Sequence, residues 1–331
     1  MVPQGDADLR PHGRLLTQTR HFVIFNPASG RGRGRRRIAE YRALLTDAIP
    51  GVAFGATTRP GEERDLAERA VDDGYHVIVA VGGDGTWSNV ADRLVASGRD
   101  DVALGILPSG TGNDFGRNFG YDPRRPADAV AVLAAGHTRA IDVGRVDTLS
   151  ASEHAPDRAE PRHFLNLIGF GFDIAVIDGA AGARFLRGEL LYKLTALQQL
   201  FRFAGVTVQA RARGGQERSG RFLMLTVSNG RFFGGGFPIA PDATVDDGRL
   251  HACMIGDAPP LTRLKLFNLA ERGRHVRSER VEILDDSGFT LTFDEPPRFE
   301  MDGDVRRSAT KQIEVRSLPG ALRVVAPAPD A

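Results

Sequence analysis

Val77-Ile78-Val79-Ala80-Val81 runs straight into Gly82-Gly83-Asp84-Gly85-Thr86. An unbroken apolar run of five residues is the signature of a strand buried on both faces of a parallel sheet. Glycines and a small hydroxyl at its carboxyl end let backbone N–H groups approach a phosphate closely. Asp84 inside that turn would repel a phosphate unless a metal ion lay between them. The pattern repeats: Val102-Ala103-Leu104-Gly105-Ile106-Leu107 leads into Pro108-Ser109-Gly110-Thr111-Gly112-Asn113-Asp114. Two such loops on one sheet point to a nucleotide carried with a divalent metal, and so to phosphoryl transfer.

Working outward, His21–Phe25 reads as a strand, Asn26-Pro27-Ala28-Ser29-Gly30 as the turn after it, and 31–45 as a helix. A strand follows at 52–57, a helix at 62–73, a helix from about Ser88 to Ser97, and another near 126–136. Strands alternating with helices predict a parallel sheet covered on both faces, with ligands at the strands' carboxyl ends. After about residue 140 the texture changes to short strands: 140–146, 162–168, 222–227, 249–255, 280–284, 289–293 and 312–315. They predict an antiparallel β-sandwich. The expected fold is therefore α/β plus all-β, with a nucleotide-binding domain over 20–140 and a sandwich over 141–326, the last strand free to return to the first domain. The segments 185–203 and 261–276 read as helical insertions, and 148–161 as a long loop.

Composition sets bounds. A chain of 331 residues exceeds the ~250–300 at which single cores stop growing. Its formal net charge of +1 gives no global field favouring nucleic acid or an anionic membrane, and nucleic acid is not expected as a partner. The single cysteine, Cys253, has no partner in the chain and reads as a small buried hydrophobe. The first twenty residues lack an apolar core, and no window approaches ~18 uncharged apolar residues. The expectation is a cytoplasmic protein that meets any lipid from the membrane's inner surface.

Several residues admit two readings. Asn26 to Gly30 could be a plain strand-to-helix turn, with neither the Gly-Lys-Ser/Thr of a P-loop nor a G-x-G-x-x-G spacing. Five arginines follow, at 31, 33, 35, 36 and 37. Cations oppose the dipole at a helix start, and an anion there would relieve the conflict. Trp87 reads as packing or as a border to the base. Asn113 and Asp114 read as a helix cap, with a catalytic carboxylate as the alternative for Asp114.

With these motifs in hand, the chain resembles the diacylglycerol kinase catalytic-domain family, which includes bacterial lipid kinases and sphingosine and ceramide kinases. The residues carrying the likeness are 26–30, Gly82 to Thr86, Leu104 to Phe115, Ile141-Asp142-Val143-Gly144, Asn166 to Asp173, Pro241 to Gly248, and Met301-Asp302-Gly303-Asp304, in order over about residues 20 to 325. The resemblance implies a nucleotide cleft between an NAD kinase- and phosphofructokinase-like domain and a β-sandwich. It implies an ATP site on Asn26, Pro27, Ala28, Ser29, Gly30, Thr57, Gly82, Gly83, Asp84, Gly85, Thr86, Trp87, Ser88 and Thr111. A structural Mg2+ would fall on the carbonyls of Thr244 and Arg249 and the carboxylate of Asp247, although Asp246-Asp247-Gly248 also reads as a type I′ turn. The family's Asp-Gly-Glu, source of the general base, is Asp302-Gly303-Asp304 here, one methylene shorter, so either carboxylate is a candidate. Many relatives carry glutamate where this chain has Asn89.

The expected activity is ATP- and Mg2+-dependent phosphorylation of a lipid hydroxyl, with diacylglycerol as the leading acceptor, Asp84 on the metal and Asp302 or Asp304 as base. Sphingoid bases, ceramide and phosphatidylglycerol are alternative acceptors. An NAD kinase relative and a non-catalytic nucleotide or lipid binder are alternative identities. The helix expected over Phe185–Phe203 either packs on the sandwich or meets the bilayer. The oligomeric state is left open, a homodimer among the options.

Overall fold

The computed structural model describes residues 12–14, 19–27, 33–148, 161–182 and 198–328. Its centre is the strand Val77–Gly82, buried along its whole length. On one side it pairs in parallel with His21–Phe25, which pairs in turn with Ala53–Ala56. On the other it pairs in parallel with Ala103–Pro108, also fully buried. Helices Arg33–Ala48, Glu62–Asp72, Asp84–Ser97 and Pro126–Ala135 cover this sheet, as the alternating pattern requires. Tyr41, Leu45, Ala67, Ala70, Leu94 and Leu133 supply the buried faces. The helices Asp84–Ser97 and Pro126–Ala135 both end on a left-handed glycine, Gly98 and Gly136.

The helix expected from Ser88 begins four residues earlier, at Asp84. The glycine turn is therefore tighter than its sequence suggests. Gly83 is the N-cap, and Asp84 sits in the first turn, where its charge complements the helix dipole.

The second half is antiparallel. Strands Val206–Ala212, Glu217–Ser228, Leu250–Gly256, Val281–Asp286 and Gly288–Phe293 form the sandwich, with Leu167–Gly171, Arg298–Met301 and Asp304–Arg307 at one end. Its inner faces bury Phe170, Phe289, Phe293 and Phe299, with Phe170 4.9 Å from Phe293 and 5.5 Å from Phe299 between ring centroids. The fourteen-residue strand Gln312–Val325 lies antiparallel along His137–Thr148 and ends parallel to Ala103–Leu104. One strand thus hydrogen-bonds to both halves.

The strand expected over 162–168 is two, Arg162–Phe164 and Leu167–Gly171. The break has a cause: the N–H groups of Leu165 and Asn166 donate to the Asp302 carboxylate instead of to a neighbouring strand. The 246–248 turn is not type I′, which needs two residues at positive φ, because only Gly248 is left-handed there. Cys253 is fully buried, and burial pushes its thiol up to about 12, so it is inert packing. The loop expected at 148–161 and the helix over Phe185–Phe203 fall largely outside the described residues. No helix among the described residues is long and apolar enough to cross a membrane.

Candidate active site

The parallel strands deliver their carboxyl ends to one edge. Asn26 and Pro27 lie there half-buried, and Thr57 lies there buried, its N–H donating to Phe25 at 2.9 Å. Ala28, Ser29 and Gly30 lie outside the described residues. The two glycine loops touch backbone to backbone. Ser109 and Gly110 N–H both donate to the Gly82 carbonyl, at 2.8 and 3.2 Å. A Cβ on Gly110 would stand 2.6 Å from Gly83 Cα, so only glycine permits this approach. Gly83 offers no side-chain cap, which leaves the first-turn N–H groups of Gly85 and Thr86 to an incoming anion. Thr111 is exposed at the lip of the second loop.

Two residues assigned to the nucleotide turn elsewhere. The Trp87 side chain is fully buried beneath the loop, its indole N–H donating to Ala80 at 3.1 Å. Any nucleotide contact at Trp87 is left to its backbone. Ser88 is buried against the second half, its hydroxyl donating to the His163 carbonyl at 3.4 Å. Asn89 donates to Glu63 at 3.0 Å, so the neighbouring helix supplies a carboxylate beside it.

Asp84 and Asp114 face each other across Gly112. A Cβ there would be 2.9 Å from Asp84 Oδ2 and 3.4 Å from Asp114 Oδ2. Asp84 Oδ1 accepts the Phe115 N–H at 2.9 Å. Asp84 thus caps the short helix Asp114–Arg117, a role the sequence suggests for Asn113. The Asn113 side chain instead closes the glycine loop through Gly110, at 2.9 and 3.0 Å. Asp114 Oδ2 accepts the Gly235 N–H at 2.8 Å, whereas its Oδ1 is buried without a hydrogen bond, 3.4 Å from Arg117 Nε. Burial, and then the Asp84 charge, push the Asp114 carboxyl up to about 6. Two like charges held beside a spare buried oxygen suit a divalent cation. Mg2+ takes one or two carboxylates and fills its octahedron with phosphate oxygens and water.

From the other half, the Met301–Asp304 turn reaches this edge. Asp302 is 3% exposed and left-handed, with φ 46°. Its carboxylate accepts the N–H groups of Leu165, Asn166 and Leu167 at 2.6, 2.9 and 3.0 Å. Burial pushes it up to about 6 despite those donors. Asp304 differs: its side chain is 48% exposed, and its Oδ1 would lie 3.2 Å from a Cβ on Gly85. One carboxylate of the pair is committed to backbone, and the other opens on the glycine loop.

Beneath this turn lie Asp173 and Glu300, both buried. Glu300 Oε1 accepts the Gly303 N–H, fixing the turn. Its Oε2 and both Asp173 oxygens make no hydrogen bond. Burial pushes Asp173 from near 3.8 to about 7, and burial with the Asp173 charge pushes Glu300 well above its usual range. The folded chain therefore holds the Asp173 proton more tightly than the unfolded chain. Stability should fall as pH rises from about 4 to about 7 and be flat in this contribution outside that window. Asp173→Asn keeps the shape without the charge, and its amide can donate to Glu300. We expect it to raise stability at pH 8 by about 2–3 kcal/mol and to make the slope shallower. Thermal melts from pH 4 to 8 check this, and an unchanged slope would refute it.

The comparisons with known proteins follow the same division of the chain. The diacylglycerol kinase catalytic domain model matches residues 20–146, and the YegS C-terminal NAD kinase beta sandwich-like domain model matches 166–326. A Pseudomonas aeruginosa protein named a YegS-like lipid kinase is 32% identical, over 90% of this chain and 92% of its own. The chain belongs to the diacylglycerol kinase-like lipid kinase family. A Mycobacterium tuberculosis protein named diacylglycerol kinase is 28% identical over 92% of this chain and 94% of its own. The crystal structure of a diacylglycerol kinase from Bacillus anthracis str. Sterne shares the fold, with TM-score 0.72 at 19% identity over 93% of this chain and 97% of that one.

In this family member the 244–249 loop is tied down by Asp142, whose oxygens accept the N–H groups of Gly248 and Gly320 at 2.5 and 2.8 Å. Asp247 is exposed, and its Oδ1 accepts the Arg249 N–H at 2.9 Å. Burial raises the Asp142 carboxyl, and Asp247 and Asp246 add to it. A further network locks the halves together. Asp92, buried in helix Asp84–Ser97, accepts from His163 N–H at 3.0 Å, lies 2.9 Å from His163 Nδ1, and pairs with Arg64 and Arg162. Burial would push Asp92 up, but the His163 hydrogen bond and the Arg64 charge outweigh it and hold Asp92 below the usual range. Asp92 and Glu300 belong to no sequence motif, whereas Asp142 and Asp173 fall within the stretches 141–144 and 166–173 that carry the family likeness. The one sequence signal among the remaining contributors is the triple glycine 234–236, whose left-handed backbone meets Asp114.

Proposed function

We propose that this protein transfers the γ-phosphoryl group of ATP to the hydroxyl of a membrane lipid, with diacylglycerol as the acceptor. The observation that carries the reading is Asp304: a half-exposed carboxylate from the second half, facing Gly85 on the glycine loop of the first. An acceptor hydroxyl held between them lies within reach of both a base and a phosphate cradle. The Mycobacterium tuberculosis relative named diacylglycerol kinase, matched nearly end to end, supports the choice of acceptor.

In this reading the N–H groups of Gly85 and Thr86 and the edge from Asn26 to Thr57 hold the triphosphate. Asp84 and Asp114 would hold Mg2+, which when bound would supply charge neutralisation at the phosphates. Asp304 takes the proton of the acceptor hydroxyl as its oxygen attacks the γ-phosphorus. The new O–P bond forms as the bond to the β–γ bridging oxygen breaks, releasing ADP and a lipid phosphate. Asp302 does not touch the substrate: it positions the turn. A second, structural Mg2+ on Thr244, Asp247 and Arg249 belongs to the same reading, with Asp142 holding the loop. The protein works at the membrane's inner surface, without spanning it.

The test is transfer of labelled γ-phosphate from ATP and Mg2+ to mixed micelles carrying diacylglycerol, sphingosine, ceramide or phosphatidylglycerol, with NAD as a soluble control. Label on diacylglycerol is the expected result. Label on another lipid alone would keep the chemistry and change the acceptor, and label on NAD alone would overturn the reading.

A further inference from the structure

Among the described residues only three large apolar side chains are exposed: Phe201, Leu261 and Val305. Two of them lie on segments held together by one side chain. Arg263, buried in the helix Pro260–Ala270, donates to the carbonyls of Leu200 and Phe203 at 2.9 and 2.8 Å and pairs with Asp257. Leu261 opens this helix at 78% exposure, and Phe201 is 51% exposed. Lys265 follows Leu261 by four residues and Arg272 by eleven, so all three project from one side of the helix or its continuation. Leu261, Leu264 and Leu269 together with Lys265, Arg272 and Arg274 line a shallow groove of about 370 Å3.

The charge of this face is largely unpaired among the described residues, Arg263 with its Asp257 partner being the exception. From 260 to 280 the chain carries six Lys and Arg against two Glu, although the whole protein has a net charge of only +1. Lys265, Arg272 and Arg274 are exposed, and none of them forms an ion pair among the described residues. A basic rim around exposed leucines and a phenylalanine complements a surface that is both anionic and apolar beneath. A second copy of the same face would meet it with like charge.

We propose that the helix Pro260–Ala270, with Phe201 beside it and Lys265, Arg272 and Arg274 at its rim, is the surface that docks on a bilayer containing anionic lipid. The proposal rests on the lipid-kinase reading for its purpose, but not for its test. The structure also ties this face to the catalytic edge. Phe267, on the same helix, packs on Phe237 with ring centroids 5.2 Å apart. Phe237 ends the glycine run whose Gly235 N–H donates to Asp114. Gly273 sits against Pro238 and Pro241, where a Cβ would approach both to 3.2 Å. Docking through the helix would therefore set the glycine run, and the acceptor's entry beside it, at headgroup depth.

The experiment is co-sedimentation of the full chain with sucrose-loaded vesicles, either pure phosphatidylcholine or with about a third phosphatidylglycerol, at low and high salt. Binding to the anionic vesicles, weakened by salt, is expected. The triple variant K265Q/R272Q/R274Q should lose roughly 100-fold in partitioning, three cations near a charged surface acting together. Leu261→Glu should lose binding that salt does not restore. Both variants should keep wild-type melting midpoints and wild-type turnover of a short-chain, monomeric diacylglycerol in the absence of vesicles. Wild-type protein that ignores anionic vesicles, variants that bind as wild type does, or a shift to dimer in solution mediated by Leu261 would each overturn the proposal. Vesicle binding that follows the prediction with no turnover of any lipid would leave this surface standing and sink the kinase reading instead.

Discussion

Asp304→Asn is expected to lower kcat by about 10²–10⁴-fold, the usual worth of a positioned general base. The affinity for ATP should hold, because Asp304 lies across from the glycine loop and is not part of it. Stability should change by no more than about 0.5 kcal/mol: the side chain is 48% exposed, and Arg306 Nη2, its ion-pair partner among the described residues, stands 3.7 Å away. The substitution keeps the size and removes the charge and the ability to accept a proton. Asp304→Glu should retain most of the activity, since it restores the longer carboxylate of the Asp-Gly-Glu pattern this segment resembles. Steady-state kinetics with ATP and the lipid varied in turn separate the two effects. If Asp304→Asn were fully active, the base would have to be found elsewhere.

The reach of sequence reading in this chain has a physical boundary. The central parallel strands were legible, because burial on both faces forces an uninterrupted apolar run, as in Val77–Val81 and 102–107. The glycine loops were legible because close backbone approach excludes side chains, as between Gly83 and Gly110. The strands Val206–Ala212 and Arg298–Met301 were not. Both carry arginine on an exposed position, and their apolar residues are spaced singly or too few to form a run, two of the four in Val206–Ala212 being alanine. The start of the helix at Asp84 was missed because Gly82 to Thr86 reads as a turn, whereas three of its five residues already lie in the helix. The site divides along the same line. Residues that meet the nucleotide edge through backbone sit in local motifs. Asp92 and Gly235 act through partners 71 and 121 residues away in sequence, and Asp173 and Glu300 matter through burial, which no local pattern records. The split between Asp302 and Asp304 is the sharpest case. The two residues stand two apart in one motif and are chemically identical. What tells them apart is tertiary: the burial of Asp302 and its three N–H donors from 165–167, against the exposure of Asp304.

Those donors make Asp302 the more damaging residue to lose for the fold. Asp302→Ala leaves the N–H groups of Leu165, Asn166 and Leu167 without an acceptor where Leu165 and Leu167 are each 1% exposed. An orphaned buried donor costs about 1–3 kcal/mol, and three sharing one site are not additive, so a loss of about 3–5 kcal/mol is expected. Against a typical total of about 5–15 kcal/mol this is a large share. Asp302→Asn should cost less. Asparagine tolerates the left-handed backbone, and its oxygen can keep the Asn166 and Leu167 donors that now share Oδ1, while its amide opposes only Leu165. The damage should also reach the cleft. Asn166 donates through its side chain to Phe232 at 2.6 Å, and Asn229 donates to the Leu165 carbonyl at 2.8 Å. The 165–167 crossing therefore anchors the start of the glycine run that contacts Asp114. Denaturant melts of both variants, with kinetics on whichever folds, decide the matter. The order expected is wild type above Asp302→Asn above Asp302→Ala in stability, with the surviving activity of Asp302→Asn well above that of Asp304→Asn. A stable Asp302→Asn with its turnover abolished would exchange the two roles and make Asp302 the base.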